Sequence, residues 1–335
     1  MTAMTRCLDR PGCMPRLSAH HLLRPRLSQP LLAAQARVKL LCAPGGSGKS
    51  ALLAECALQA PAGFQVHWVP LHGAALSPLE LCTRLAQHLG LVFVDEATLL
   101  LDLSHWPKPA WLFLDDFCRL PAPELDALLD RLLSASSAQL TWWLGARRRP
   151  VCNWPRLLLE DELLECSELS FNAAEVQALL APGQSVDSVM QFSGGWCAGV
   201  RIAALGDNHP DKTLLDYLQH ELFSTLPAPL VEAWHVLAHL PRFNLGLCEH
   251  LFGHGDGEQY LRELQALGAF IQPWEGTGDW LQVFAPLTRL LRDEPWPAKR
   301  SWHRRACQWF SAEGDWQAAF EQALLAQEYE VAVSL

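Results

Sequence analysis

The chain has 335 residues, of which 50% are hydrophobic and 19% charged. That composition is globular and excludes a disordered or collagen-like chain, and at roughly 100 to 200 residues per domain it makes two or three domains. Its 26 Lys+Arg against 36 Asp+Glu leave a net charge of −10, which argues against a non-specific nucleic-acid binder, because neutralising phosphates takes clustered basic charge.

The eleven cysteines are odd in number, scattered and without a CxxC, so no zinc ribbon or redox motif forms locally. They read as reduced, mostly buried thiols of a cytoplasmic protein. The N-terminus has no continuous apolar stretch of signal-peptide type, and no run of about 18 apolar residues occurs, so no membrane partner is expected. Few Lys and Ile beside many Arg, Ala and Leu suggest a GC-rich bacterial genome.

In chain order, residues 1–22 carry Pro, Gly, Arg and His without periodicity and read as a flexible tail. Arg6, Arg10, Arg16, Arg24 and Arg26 face only Asp9 near this end. A strand over 38–43 runs into Pro-Gly-Gly, and a helix pattern follows over 50–59. A strand over 65–71 precedes a helix over 78–89, started by Ser77-Pro78. The strand 111–114 ends in Asp115-Asp116, a helix covers 123–133, and strands are expected over 139–145 and 164–171. Strands alternating with helices predict an α/β fold with a parallel sheet covered on both faces.

Beyond Phe171 the pattern is mostly helical. Asn172 can cap a helix over 173–180, and further helices fit 186–192, 198–205 and 212–224. Helices over 230–240 and 258–267 lead to a hairpin of 269–274 and 280–284, turning through 275–279, which suits a winged-helix-like domain. Helices over 301–313 and 316–326, with a third at the end, read as the truncated start of TPR-like helical repeats. The predicted domains are therefore a tail (1–22), a P-loop nucleotide-binding domain (23–171), a helical subdomain (172–225), a winged-helix-like domain (226–300) and the start of the repeats (301–335).

The chemistry lies in Ala43-Pro44-Gly45-Gly46-Ser47-Gly48-Lys49-Ser50, a Walker A loop with Ala in place of the first Gly. Backbone N–H groups converging on a polyphosphate need Gly where a Cβ would obstruct, and the helix that follows points its positive end at the phosphates. Lys49 adds a full charge, and the Ser50 hydroxyl is placed to ligate Mg²⁺. A glycine-rich turn that happens to carry Lys-Ser is the alternative. The strand before the loop, the helix after it, and Asp115 at the end of a later apolar strand all count against that alternative, because an acidic residue there serves as a Walker B group. Arg147 follows the next strand; with that strand between the first and third its tip faces the γ-phosphate, unless Arg147, Arg148 and Arg149 form only a solvated turn. His235 and His239 lack the Glu of a zincin helix, and the tryptophans, including Trp296, Trp302, Trp309 and Trp316, read as core and helix-packing residues.

The order of motifs resembles the signal-transduction ATPases with numerous domains, and more narrowly the MalT-type ATP-binding LuxR-family regulators. The carriers are Arg24-Pro25-Arg26-Leu27, the loop 43–50, Leu112 to Phe117, Leu140 to Arg147, Gly194-Gly195-Trp196-Cys197-Ala198-Gly199, Asp216-Tyr217-Leu218, and His303-Arg304-Arg305-Ala306 through Ala319. The resemblance implies ATP or ADP with Mg²⁺ as cofactors. Candidate catalytic residues are Lys49, Asp115, Asp116 and Arg147. Candidate nucleotide contacts are Arg24, Pro25, Pro44, Gly45, Gly46, Ser47, Gly48, Lys49, Ser50, Ala51 and Cys197, and candidate metal ligands are Ser50 and Asp115. It also implies slow hydrolysis, self-association in the ATP-bound form, an inducer of unknown identity, and contact with RNA polymerase and DNA only through regions outside this chain. Three departures stand out: Cys197 replaces the family's Pro, Ala285 replaces a His, and His72-Gly73-Ala74-Ala75 replaces an acidic cluster. Other readings are a P-loop ATPase or kinase with true turnover, for which no lid signature appears beyond Arg147 to Arg149, and a degenerate scaffold, against which Lys49, Asp115 and Asp116 argue.

Overall fold

Residues 13–205, 210–274, 278–292 and 299–335 are described by a computed structural model. They divide between two units, Met1–Met190 with Gly195–Ala204 and Gln191–Gly194 with Leu205–Leu335.

The first unit is built on five parallel strands: β1 (Val38–Cys42), β2 (Gln65–Pro70), β3 (Ala110–Phe117), β4 (Leu140–Ala146) and β5 (Leu163–Cys166). Their spatial order is β2-β3-β4-β1-β5, so β4, the strand before Arg147, lies between β1 and β3. Side chains alternate across the sheet. Leu40, Leu112, Leu114, Trp142 and Leu144 enter one core, shared with α3 (Pro78–Leu89), α4 (Glu96–Ser104) and α5 (Pro123–Ala135). Leu41, Trp111, Phe113 and Trp143 enter the other, shared with α1 (Pro25–Ala33) and α2 (Lys49–Ala57). On this second face Phe113 stacks between Trp68 and Trp143 with ring centroids 5.2 Å apart on each side. Each such buried aromatic or aliphatic side chain stabilises the fold by about 1.5–3 kcal/mol relative to exposure. The unit is completed by α6 (Trp154–Leu159), α7 (Ala173–Leu179), α8 (Val186–Ser193), which runs across the division, and α9 (Cys197–Ala204).

Several expectations are corrected. Residues 1–12 of the expected tail lie outside the described residues, but residues 13–22 are not loose: Met14 is buried in the core and the Cys13 thiol donates to the Trp68 carbonyl at 3.0 Å. Helices α1, α4 and α6 lack a clean sequence signature. The first carries Pro30 in its interior yet buries Leu27 and Leu31, so packing outweighs the missing N–H. The second begins at Asp95, whose carboxylate caps Thr98. The fifth strand stops at Cys166 instead of reaching Phe171, whose amide donates to Gly195 at 2.7 Å. The helix expected over 78–89 is present, and Ser77 and Glu80 form a reciprocal capping box at its start.

The second unit contains α10 (Pro210–Glu221), α11 (Ala228–Ala238), α12 (Leu245–Phe252) and α13 (Asp256–Ala266). An antiparallel hairpin follows, β6 (Ile271–Pro273) with β7 (Leu281–Val283), and Phe243 bridges to Leu281. The expected turn over 275–279 includes residues 275–277, outside the described residues. Buried Trp234 of α11 donates its indole N–H to the Ala269 carbonyl at 2.7 Å and fastens the hairpin's base. Helices α12 and α14 (Ala285–Arg292) were not expected; the first is capped by Asn244. The chain goes on through α15 (Lys299–Ala312), α16 (Trp316–Leu325) and α17 (Tyr329–Ser334), with His303 and Gln322 paired at 2.7 Å between the first two. Trp309 packs edge-on to Trp280, as a helix-packing residue should. Trp316 does not fit that reading, being 57% exposed, and Trp296 lies outside the described residues. No described helix is long and apolar enough to cross a membrane.

Candidate functional site

Between β1 and α2 the loop turns through Gly46 and Gly48, at φ 71° and 82°, where a side chain would be strained. No side chain caps α2. The Lys49 ammonium donates to the carbonyls of Ala43 and Pro44 at 2.6 and 2.8 Å, so it folds back over its own loop. Burial, and secondarily the Arg147 charge, lowers the Lys49 pKa to about 8.

The Ser50 hydroxyl donates to Asp115 Oδ1 at 2.7 Å. Burial raises the Asp115 carboxyl above the usual range, and the Ser50 hydrogen bond opposes that. The ladder between β3 and β4 shifts register between Leu114 and Phe117, and within that irregularity Asp116 takes φ 57°. Asp116 meets two arginines: Oδ2 accepts from Arg119 Nη2 at 2.7 Å and Nε at 3.2 Å, and Oδ1 accepts from Arg147 Nε at 3.4 Å. Arg147 in turn lies against the loop, where a Cβ on Gly45 would stand 2.9 Å from its Nη1.

A distant segment clamps the loop. The Trp196 indole donates to the Gly45 carbonyl at 2.9 Å, the Ala198 amide to Gly46 at 2.9 Å, and the Cys197 thiol to Ser47 at 3.2 Å. Burial pushes the Cys197 thiol up to about 11, so it is a neutral donor. The Arg24 guanidinium donates to the carbonyls of Leu169 and Ser170 at 2.8 and 2.9 Å and lies 4.4 Å over the Phe171 ring. Its backbone amide and the His21 ring both reach the buried carboxylate of Glu55 on α2.

Beside the loop a cavity of about 370 Å³ is lined by Leu22, Arg24, Gly48, Ala51, Phe171 and Cys197, among others. Of the sequence candidates, Arg24, Gly48, Ser50, Ala51 and Cys197 therefore share this cavity. Pro44, Gly45, Gly46, Ser47 and Lys49 form the adjoining turn, and Asp115, Asp116 and Arg147 stand at the strand tips beside it. Pro25 is the exception: it is exposed at the start of α1 and does not line the cavity, because its fixed φ serves the helix start instead. The three consecutive arginines have separate roles. Arg148 is buried and bidentate to Asp126 at 2.7 and 2.8 Å, and Arg149 pairs with Glu165 near the surface, so the solvated-turn reading fails for Arg148. Sequence reasoning missed Glu55, Arg119 and the indole of Trp196. Only the last had a signal, since it sits inside a quoted motif. Among the described residues no group of three or more His, Cys, Asp or Glu is arranged to hold a metal by itself.

Residues 219–295 match the family model of the MalT winged helix domain. Over 315 residues the chain is 25% identical to the HTH-type transcriptional regulator MalT of Yersinia enterocolitica, covering 82% of this chain and 33% of that protein. The chain thus spans about a third of the length of the curated relative it matches. Among solved structures, a Walker-type ATPase of Pyrococcus abyssi superposes with a TM-score of 0.51 at 14% identity, over 84% of this chain and 99% of that one. A signal-transduction ATPase with numerous domains and a tetratricopeptide repeat sensor, from Pyrococcus horikoshii, gives 0.45 at 14% identity, over 93% and 49%. The sequence carries a MalT-type winged helix after a P-loop NTPase fold, the combination its motifs implied.

Proposed function

We propose that this chain is the nucleotide-dependent switch portion of a MalT-type transcriptional regulator acting in the cytoplasm. In this reading residues 23–171 bind ATP or ADP with Mg²⁺, 172–225 form a helical subdomain, 226–300 a winged-helix-like domain, and 301–335 begin helical repeats. The observation that carries it is the hydrogen bond of Ser50 to Asp115 at 2.7 Å, directly after the glycine loop. A hydroxyl and a carboxylate are an all-oxygen pair, the donor chemistry that Mg²⁺ prefers. The turn at Gly46 and Gly48 keeps Cβ atoms away from the loop amides, and the cavity lined by Leu22, Ala51 and Phe171 has the size and apolar walls of a nucleoside site.

Within this reading Lys49 exchanges loop carbonyls for phosphate oxygens. Trp196, Cys197 and Ala198 hold the loop carbonyls and so orient its amides. Arg147 supplies a second cation at Gly45. Ser50 and Asp115 would hold Mg²⁺, which when bound would supply neutralising charge to the phosphates. Hydrolysis is slow in this proposal, because both carboxylates at the strand tip are engaged: Asp115 with Ser50, and Asp116 with Arg119 and Arg147. ATP and ADP switch the protein only through unequal affinity for two forms. Self-association in the ATP form, response to an inducer, and contact with RNA polymerase and DNA are proposed for the whole regulator. Ala285 offers no polar side chain, so the ADP-closed form is proposed to be held less tightly than where a His stands.

Calorimetry with ATP and ADP under Mg²⁺ tests the reading. Wild type should bind both, and Lys49→Ala should lose about 100-fold in affinity through its missing charge-assisted bonds. Absence of heat with wild type, in a folded sample, would sink the proposal.

A further inference from the structure

Arg119 lies three residues beyond Asp116 and forms the shorter of its two arginine contacts. Its side chain crosses the turn after β2, and an added Cβ at Gly73 would stand 2.1 Å from its Nε and 2.4 Å from its Cγ. The same turn is stitched to β3 by backbone bonds: the Gly73 amide donates to Asp116 at 2.6 Å, and the Arg119 amide to Gly73 at 3.3 Å. Gly73 occupies φ 64°, and Asp116 φ 57°. Two left-handed residues, one of them a glycine without a side chain, thus make the room in which Arg119 grips Asp116 with two nitrogens.

Resting on the nucleotide-switch reading, we propose that Arg119 is a positioning residue that lets Arg147 discriminate a triphosphate from a diphosphate. Arg147 Nε donates to Asp116, and its Nη1 lies where a Cβ on Gly45 of the phosphate loop would meet it at 2.9 Å. A third phosphate recruits that guanidinium away from Asp116. Without a second partner, the carboxylate would be left as an uncompensated charge facing the incoming anion, and both effects would weigh against the triphosphate. Arg119 keeps Asp116 paired throughout, so the exchange strands no charge. A diphosphate does not reach Arg147 and is indifferent to the arrangement.

The test is titration of Mg²⁺-ADP and Mg²⁺-AMP-PNP into wild type, Arg119→Gln, Gly73→Ala, and Arg119→Gln combined with Asp116→Asn. ADP affinity should stay within about twofold in Arg119→Gln, while AMP-PNP weakens by about tenfold, a typical coupling between two sites. Gly73→Ala, which displaces the same guanidinium without removing its charge, should shift the ratio the same way. Removing the carboxylate in the double variant should restore the wild-type ratio, which a merely structural role for Arg119 would not do. A folded Arg119→Gln with an unchanged AMP-PNP/ADP ratio overturns the inference alone, as does a ratio that the double variant fails to restore. If Arg119→Gln does not fold, Arg119→Lys takes its place, with a smaller shift expected and an unchanged ratio again overturning the inference. Wild type binding neither nucleotide overturns both this inference and the reading beneath it.

Discussion

Ser50 and Asp115, 65 positions apart in sequence, are joined by a hydrogen bond of 2.7 Å. It is the contact through which the start of α2 registers with the tip of β3. Burial raises the Asp115 carboxyl and outweighs this bond. A carboxyl whose folded-state pKa is raised stabilises the fold below its unfolded value and loses that contribution as pH rises through the folded value. Asp115→Asn keeps an acceptor for Ser50 and removes the charge. The variant, free of ligand, should melt about 2–4 °C higher at pH 7, the change that about 1 kcal/mol makes in a unit of this size. It should also lose the extra stability that Mg²⁺-ADP gives wild type. Thermal melts from pH 4 to 8 with and without Mg²⁺-ADP decide it, and a lower melting temperature in the ligand-free variant would contradict the assignment.

The Arg148–Asp126 pair is expected to carry the strand tip structurally. Both side chains are nearly inaccessible, two nitrogens meet two oxygens, and Arg148 Nε also donates to the carbonyls of Cys118 and Leu120. Removing one member leaves a buried charge without its partner, at a cost of about 3–5 kcal/mol. Arg148→Met should lower the urea midpoint accordingly, and Asp126→Asn should do nearly the same. Arg149→Met, at a surface pair, should stay within about 1 kcal/mol of wild type.

Gly195→Ala should damage the loop clamp. A Cβ there would meet the Phe171 carbonyl oxygen at 2.4 Å, and the backbone sits at φ 77°. The expected loss is about 2–4 kcal/mol of stability, with nucleotide affinity falling at least tenfold as Trp196 and Cys197 shift off the loop. Gly63→Ala is the control: its φ is 92° but nothing lies within 4 Å, so it should cost only about 1 kcal/mol and leave binding intact. Equal effects of the two substitutions would refute the clamp.

Lys39 is an unusual core residue. It is 2% exposed, with its ammonium 4.3 Å from the Trp143 ring centroid and 5.8 Å from that of Trp111. Burial lowers its pKa from 10.5 to about 8. The charged form is therefore disfavoured by folding, and the Lys39 contribution to stability should rise as pH climbs from about 8 towards 10.5, where its unfolded form holds more protons. Lys39→Met should be more stable than wild type at pH 7, by a margin that shrinks as pH rises towards 10.5. Both proteins keep a further pH dependence, because Lys49 is lowered to about 8 in the same sense while buried thiols such as Cys197, raised to about 11, act in the opposite one, so the difference between variant and wild type is the readout. Denaturant titrations at pH 7 and 9.5 read this directly.

Much of the site was legible because local chemistry demands it. The proposed phosphate binding would prescribe Gly46, Gly48, Lys49 and Ser50 within one turn, and Asp115 stands out by its place after an apolar run. The sheet was legible for the same reason: a buried parallel strand leaves a short, uninterrupted apolar segment such as Leu112-Phe113-Leu114. Helix α1 was hidden by Pro25 and Pro30, residues that normally speak against a helix interior. Glu55 and Arg119 carried no signal, since their roles depend on which distant atoms the fold brings near. Pro25 lies in the same recognisable motif, yet it is exposed at the start of α1 and outside the cavity that its neighbour Arg24 lines.

The hydrogen bond from Trp196 to Gly45 spans 151 positions. Its consequence concerns manufacture. A nascent polypeptide that has already threaded the glycine turn out of the ribosome still lacks the indole and the thiol that will brace it, and closing so long a loop is among the slower steps of folding. Under the proposed function, ligand capture should therefore begin only after residue 198 has emerged, so nucleotide would be a late-arriving seal on the finished sheet and not a nucleus around which it grows.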